Sequence, residues 1–224
     1  MPCSFERTIG ATMLQHRLLE IAIAEFAAKG LEGASTRGIA AAAGTAMSSI
    51  TYHYGGKEGL YLAAADYIAL QLGEEMAPAF PENALLEALT PDDARSRIHA
   101  IVRQFIEAMS GEKSTAASLF IMREQMAPTE AFERIYGGLM GKMLETLCEL
   151  VCTATGRDDR DTARIVVITL IGQVIVLRAS RATVLKLLKR ATIDAAATAT
   201  LAARIAANTD AILDRLIAER QDIS

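Results

Sequence analysis

The sequence predicts an all-α protein. Apolar residues recur at helical spacing along much of its 224 residues, and no stretch alternates apolar and polar residues as a half-buried strand does. Residues that start and stop helices separate these repeats, such as Ser35 and Gly44 around one short helix and Thr90 with Pro91 before a longer one. The apolar content of 51% is ample for a buried core. We therefore expect an N-terminal three-helix unit followed by a larger helical domain.

The first predicted helix carries one apolar stripe and ends at Gly30. Its apolar residues follow an i, i+3, i+4, i+7, i+8 pattern and are Leu19, Ala22, Ile23, Phe26 and Ala27. Residues 1–11 show no such pattern and are expected to form a loose arm. We expect the stripe to cover the two short helices that follow.

The stretch 35–57 predicts a helix-turn-helix. Ser35 can cap a short helix whose apolar residues share one face, and Gly44 permits the sharp turn after it. A second short helix is expected to begin near Thr45 or Ala46, and Ile50 is its one large apolar anchor. Small and hydroxyl-bearing side chains occupy most of its other positions, which is typical of a helix that enters a DNA groove.

The charges of this stretch favour contact with phosphate, whereas those of the whole chain do not. No acid lies between Glu32 and Glu58, and Arg37 and Lys57 make the segment positive. Lys57 stands in the first turn of the next helix, where it opposes the helix dipole by about 0.3–1 kcal/mol unless a phosphate binds there. The chain as a whole has a net charge of −4, and residues 1–60 carry equal numbers of acids and bases. A three-helix packing unit with a solvated face is the alternative interpretation.

Three motifs in order carry a family resemblance, namely LLEIAIAEFAAKG, ASTRGIAAAAG and SITYHYGGKEGLY. Over about residues 12–70 the chain resembles TetR-type transcriptional regulators, and ITYHYGGKEGLY together with REQMAPTEAFERIY resembles the CecR-like branch. The resemblance implies a homodimer that binds a double-stranded DNA operator and responds to a small-molecule effector, most often as a repressor released by that molecule. Ala46 and Thr51 differ from the commonest residues of the family, so no operator sequence is implied.

The matching family positions and the exposed sides of the two short helices assign the DNA contacts. The residues expected to face base edges are Met47, Ser48, Thr51 and Tyr52, and those expected to face phosphates are Ser35, Thr36, Arg37, His53 and Lys57.

The resemblance and the helix breakers together divide the chain into three parts. We expect a DNA-binding domain at 1–56, a connecting helix and linker at 57–83, and a ligand-binding and dimerisation domain at 84–224. Pro78 and Pro81 interrupt the helical pattern within the linker.

Helices are expected within the last domain at 114–126 and 129–155. The second contains Gly137, Gly138 and Gly141, which are expected to permit a bend or a close helix approach because glycine is unfavourable inside a helix.

Methionine and aromatic residues of this domain predict an adaptable ligand pocket. The apolar candidates are Phe105, Met109, Phe120, Met126, Tyr136 and Met140, and the polar candidates for orienting a ligand are Arg123, Gln125 and Gln173. The alternative is that these apolar side chains are simply core.

Two C-terminal helices predict a four-helix dimer bundle. The helix at 161–178 is apolar nearly all round, so part of its surface is expected to need a partner chain. The helix at 194–220 carries a narrow seam at 4, 7, 4 spacing, formed by Leu201, Ile205, Ile212 and Leu216.

No residue pattern points to an enzyme, a metal site or a cofactor. His16, His53 and His99 fall on separate elements outside any catalytic motif, and Glu124 among apolar neighbours indicates a buried polar anchor. Cys148 and Cys152 share a helix face, and without a nearby third ligand we interpret them as small core residues, the alternative being a metal pair. A helical homodimeric interaction protein without a DNA or ligand role is the main alternative function, but it leaves the acid-free helix-turn-helix unexplained. A small-molecule-modifying enzyme is the second alternative.

The sequence also predicts a cytoplasmic protein that does not cross a membrane. Its odd number of cysteines suits a reducing compartment, and no apolar leader is evident near the N-terminus. The longest apolar run, from Ile165 to Leu177, is shorter than a membrane span needs.

Overall fold

The computed structural model describes residues 3–80, 89–111 and 115–221, leaving aside the side chains of residues 3–13, 115 and 139. Every element within these ranges is helical, which confirms the predicted all-α class. The predicted boundary at residues 83 and 84, together with Pro81, lies outside the described residues.

The N-terminal part of the chain folds into one long helix, two short helices and a connecting helix. They are α1 (Cys3–Gly33), α2 (Thr36–Ala43), α3 (Met47–Tyr54) and α4 (Lys57–Met76), and a 3₁₀ turn (Ala77–Ala79) follows α4. Since α1 begins at Cys3, residues 3–11 extend the first helix instead of forming the predicted arm. Gly30, at φ 73° and ψ 176°, interrupts α1 where the sequence predicts its end.

The rest of the described chain is a series of helices of unequal length. They are α5 (Pro91–Ser110), α6 (Thr115–Met126), α7 (Glu130–Ile135), a π-helical turn (Tyr136–Met140), α8 (Gly141–Thr155), α9 (Arg160–Ala179), α10 (Arg181–Leu188) and α11 (Ala195–Gln221). The predicted start of α5 is confirmed as a capping box, because Thr90 Oγ1 accepts the Asp93 N–H at 3.2 Å and Asp93 Oδ2 accepts the Thr90 N–H at 3.3 Å.

The glycine-rich stretch before α8 both bends and approaches a neighbouring helix, as the sequence predicts. Gly138 lies outside the helical region, at φ −67° and ψ −132°. A Cβ added to Gly138 would lie 3.0 Å from the Cβ of Ala69 on α4, so the close approach leaves little room for a side chain. The predicted helix at 129–155 is therefore divided into α7, the π-helical turn and α8.

The described helices pack into two compact units, each with its own core. The first unit comprises Met1–Leu72 and Ser114–Met140. Its most deeply buried large side chains are Phe26, Ile39, Ile50, Leu60, Ile68, Phe120 and Ile135. Because α6 packs on α1, residues 114–140 belong with the N-terminal helices, although the sequence analysis grouped them with the domain at 84–224.

The second unit comprises Gly73–Lys113 and Gly141–Ser224. Its core joins α5, α8, α9 and α11 through Ile98, Ile106, Leu150, Val151, Leu170, Val174 and Leu213. Cys148 is also buried there, with Cys152 packed against the core, which confirms the interpretation of both as core residues.

Helix α9 is the one described helix whose length and composition would allow it to cross a membrane. The helix has 20 residues. It is therefore longer than the apolar run from Ile165 to Leu177, whose short length led to the prediction that the chain does not cross a membrane. Its buried side chains, Ala163, Val166, Val167, Leu170, Val174 and Leu177, belong to the core of the second unit. Core helices of folded domains have the same composition, so this feature alone is weak support for a span.

Candidate functional site

Helix α2 and the turn after it form as the sequence predicts. The Ser35 hydroxyl accepts a hydrogen bond from the Gly38 N–H at 3.2 Å and so caps the start of α2. Gly44 adopts the left-handed conformation at φ 72°, and the Thr45 N–H donates to the Ala40 carbonyl at 3.0 Å. This turn sets the direction in which α3 leaves α2.

Helix α3 presents one open face. Ile50 is its only buried residue, at 1% exposure, and anchors α3 to the core of the first unit. The four residues predicted to face base edges, Met47, Ser48, Thr51 and Tyr52, are all exposed and recur at i, i+1, i+4 and i+5, which places them on one side of the helix. Tyr52 is 85% exposed, so a large amphipathic ring stands in solvent without a cover from its own unit.

The residues predicted to contact phosphates differ in their exposure and in the partners that they bind within the chain. Arg37 and His53 are exposed, and Thr36 is half-buried. The Ser35 hydroxyl accepts the bond that caps α2 and keeps its own O–H to donate to a phosphate, whereas the Ser35 N–H donates to Glu25 Oε1 at 3.4 Å. Lys57 Nζ donates to the Glu32 carbonyl near the end of α1 at 3.1 Å, which places its charge at a helix C-terminus and offsets its unfavourable position in α4.

Gly59 is a positioning residue that the sequence analysis missed. A Cβ at Gly59 would lie 1.6 Å from the Tyr54 carbonyl oxygen, which is far inside any permitted contact. The start of α4 can therefore lie against the end of α3 only if residue 59 lacks a side chain. The motif GGKEGLY contains this signal, but three glycines in one short stretch do not reveal which one faces a backbone.

Arg123, predicted to orient a ligand, instead binds the end of α1. Its Nε donates to the Ala27 carbonyl at 2.6 Å and its Nη2 to the Ala28 carbonyl at 2.9 Å. These carbonyls precede the interruption at Gly30, where the helix leaves them without their usual partners. Arg123 is therefore reassigned to a structural contact between α6 and α1.

Glu124 is the buried polar anchor that the sequence predicts. It is 2% exposed, and its carboxylate accepts the Tyr61 hydroxyl at 2.6 Å and the N–H groups of Thr129 and Phe132 at 3.0 Å each. Burial and the bond to Glu124 raise the pKa of Tyr61 well above its usual range. This network joins α4, α6 and the start of α7.

The other predicted ligand residues do not form one cluster. Phe120 is fully buried and stacks near Tyr61, with ring centroids 4.6 Å apart, so it is core. Gln125 and Met126 are exposed, the latter at 86%, and Tyr136 and Met140 lie in the same unit.

The remaining three residues of the predicted ligand set belong to the second unit. Phe105 and Met109 pack against its core, and the Gln173 side-chain oxygen accepts a bond from Asn208 at 2.7 Å. The predicted set is thus divided between the two units, because side chains that share a composition need not share a location.

The predicted dimer seam on α11 faces the core of its own chain. Ile205 and Leu216 are 5% and 8% exposed, and Leu201 and Ile212 pack against the same core. Buried side chains of one chain cannot form the surface that meets a partner, so the assignment of Ile205 and Leu216 is corrected. Helices of the same chain can cover a narrow apolar seam as well as a partner chain can.

A stripe of apolar surface that the second unit leaves uncovered lies on α9. Ile165 is 63% exposed and Ile168 70%, and Gly172 and Ile175 continue the same stripe at spacings of 3, 4 and 3 residues. On α11 the exposed residues Ala203, Ala207 and Ala211 are small. We call these residues of α9 and α11 the outer face.

Two family comparisons cover most of the described chain. Residues 18–64 match the family described as "Bacterial regulatory proteins, tetR family". Residues 94–216 match the family described as "HTH-type transcriptional dual regulator CecR, C-terminal domain". The HTH-type transcriptional dual regulator CecR of Shigella flexneri is 34% identical over 183 residues, which cover 80% of this chain and 81% of that protein.

Solved structures share the fold at lower identity. AibR in complex with isovaleryl coenzyme A and operator DNA has a TM-score of 0.63 and 18% identity, with 86% of this chain and 96% of AibR covered. A TetR-family transcriptional regulator from Streptomyces coelicolor has a TM-score of 0.62 and 17% identity, with 92% of this chain and 97% of that chain covered. At these identities the likeness supports the fold alone.

Proposed function

Because the chain belongs to the TetR family of transcriptional regulators, with a C-terminal domain of the CecR type, it is a DNA-binding regulator that responds to a ligand, and we propose that it acts as a repressor released from a palindromic operator. The observation that carries this proposal is the open face of α3. Four side chains able to contact base edges share it, and the cation of Lys57 follows three residues after the end of α3.

We propose that the acting species is a homodimer joined through the outer face. Isoleucine side chains that are more than half exposed are costly to leave in water at about 25 cal/mol per Å². The small residues Gly172 and Ala207 would let helices from two chains approach closely. The arrangement keeps the predicted four-helix bundle of two helices from each chain and changes only the side chains that meet the partner.

Release by a ligand requires that binding changes the geometry of the two recognition helices. Two α3 helices must lie about 34–36 Å apart to enter successive major grooves. Arg123 and Glu124 fasten α6 to α1 and α4, so we propose that a ligand which displaces α6 also displaces these helices and with them α3. Such a ligand releases DNA only if it binds the displaced state more tightly. AibR, solved with a coenzyme A thioester and operator DNA, is a precedent for one chain of this fold holding both.

We propose that the protein acts in the cytoplasm and without catalytic activity. Cys148 and Cys152 are free thiols, and burial raises the pKa of both, which makes them unreactive core residues in keeping with a reducing compartment. The family to which the chain belongs is one of regulators.

The test is a gel shift of the purified chain with total genomic fragments at low and moderate salt. We expect a small set of fragments to survive at the higher salt, because base contacts persist when phosphate contacts weaken. If every fragment dissociates together as salt rises, the protein has no operator and the proposal of sequence-specific repression is wrong.

A further inference from the structure

The second unit contains a cavity of about 560 Å³ beside the end of α5 and the start of α11. Polar side chains of α5, Arg103, Glu107 and Ser110, line one side of it. Ile193 and the small residues Ala199 and Ala202 line the other side. A cavity with one polar and one apolar wall is suited to an amphipathic molecule.

Ser110 carries a hydroxyl that lacks a partner in the described part of the chain. The residue is only 3% exposed, and its Oγ forms no hydrogen bond with any described residue. Buried hydroxyl groups are nearly always bonded, since an unbonded one has lost its water without compensation. The Oγ of Ser110 is thus available to a molecule in the cavity that its residue lines.

Two further cations meet the end of α5 at the same place. Arg181 Nη1 donates to the Ser110 carbonyl at 3.0 Å, and Arg178 Nη2 donates to the Ala108 carbonyl at 2.8 Å. These contacts offset the negative end of the α5 dipole, but each uses one of five guanidinium N–H groups. Arg178 Nε is buried and has no partner among the described residues.

Cations outnumber acids among the residues named at this end of α5. Arg103, Arg178 and Arg181 form no ion pair with a carboxylate in the described ranges. Burial, and then repulsion from Arg181, lower the pKa of Arg178. Glu107 is the one acid that lines the cavity. An anion is therefore the charge type that the site would stabilise.

We propose that this cavity binds a small amphipathic anion, with its carboxylate or phosphate between Arg103 and the Ser110 hydroxyl and its apolar chain against Ile193, Ala199 and Ala202. The anion accepts hydrogen bonds from both groups, and Glu107 limits its affinity through repulsion. The claim that this anion is the effector rests on the function proposed above. The claim that the cavity binds it does not.

The binding test uses the full chain and four probes of equal chain length in titration calorimetry. The probes are octanoate, octyl phosphate, octanol and octylamine. We expect at least one anion to bind about tenfold more tightly than octanol and octylamine, because charge-assisted hydrogen bonds are the stronger ones. The tighter of octanoate and octyl phosphate identifies the head group.

Matched substitutions distinguish anion binding in this cavity from nonspecific binding to apolar surface. Arg103→Gln should abolish the preference for anions, whereas Arg97→Gln, six residues earlier on α5 and outside the cavity wall, should retain it. Glu107→Gln should strengthen anion binding about threefold by removing a like charge. Ala199→Phe, at an exposed position, should block the cavity while circular dichroism shows an unchanged fold.

Three results would overturn the proposal. They are equal binding of octanoate, octyl phosphate and octanol, an unchanged anion preference in Arg103→Gln, and undiminished binding in Ala199→Phe. DNA titration with the bound anion then tests the effector role separately. Anion binding with unchanged DNA affinity supports the site and contradicts only the role of this anion as the effector.

Discussion

At the scale of single residues, Lys57 links the packing of α4 on α1 to the proposed contact with DNA. Its ammonium group binds the Glu32 carbonyl at 3.1 Å and has two further N–H groups for a phosphate. We expect Lys57→Ala to weaken binding to all DNA sequences about equally and to reduce the slope of log K against log salt by about 0.9. Fluorescence anisotropy over a series of salt concentrations measures this slope.

Lys29→Ala is the matched control for this prediction. Lys29 lies on α1 of the same unit, is 54% exposed and pairs with Glu25 four residues away. The slope should be unchanged in this variant. A Lys57→Ala protein that altered the preference among sequences and kept the original slope would contradict the assignment of Lys57 to a phosphate.

Single residues also show where inference from the sequence is limited. A polar side chain among apolar neighbours indicates that a buried partner is needed, and this was enough to predict the role of Glu124. The same observation at Arg123 led to the prediction that this residue orients a ligand. Its actual partners are carbonyl groups near the interruption at Gly30, and nothing in the sequence reveals that they lie within reach of α6. The partner of a polar residue depends on tertiary packing.

At the scale of elements, the contact between α3 and α4 depends on Gly59. Replacement of Gly59 by Ala forces a Cβ onto the Tyr54 carbonyl oxygen, at 1.6 Å in the unrelaxed structure, so α3 or α4 must move. We expect Gly59→Ala to lower the free energy of unfolding by roughly 2 kcal/mol or more. At about 2–4 °C per kcal/mol, thermal denaturation should detect this change readily.

Gly38→Ala is the control, since it introduces the same methyl group into α2. There a Cβ would meet Ser35 at 3.5 Å, which is an ordinary contact. The melting temperature of Gly38→Ala should equal or exceed that of the unmodified protein, because Ala is the better helix former. Equal melting temperatures for Gly59→Ala and Gly38→Ala would show that α3 and α4 do not meet as described.

Elements with caps and breakers were the most predictable part of the fold. Ser35, Gly44 and Thr90 each act through neighbours within five residues, and their roles are visible in the sequence. Helix α10 was missed because none of its residues is buried, so its sequence carries no stripe toward a core. The grouping of α6 with α1 was also missed, since nothing local records which distant helix covers an apolar face.

At the scale of the whole molecule, the outer face should hold two chains together. We expect Ile168→Asp to give monomers in light scattering and to weaken operator binding, because a charge would be buried at the interface. Ile168 is 70% exposed within one chain, so the substitution should leave the fold of the chain intact. Leu187→Asp provides the control, as Leu187 is 81% exposed but lies on α10.

Unchanged mass of the Ile168→Asp protein would contradict this interface.

The seam predicted from sequence illustrates why the faces of α11 were confused. Spacing of 4, 7 and 4 residues identifies an apolar stripe, yet the stripe formed by Leu201, Ile205, Ile212 and Leu216 faces α5, α8 and α9 of its own chain. Burial within one chain distinguishes a core from an interface, and only the structure provides it.

The proposed function requires that the open face of α3 reads a DNA sequence as part of a dimer. Selection from a random duplex library, followed by sequencing of the bound fraction, tests it most directly. We expect an inverted repeat whose half-sites are centred about one helical turn apart, or a multiple of it, and a changed half-site after Ser48→Ala or Tyr52→Ala. Absence of any enriched sequence, or an enriched sequence that both variants select unchanged, would contradict it.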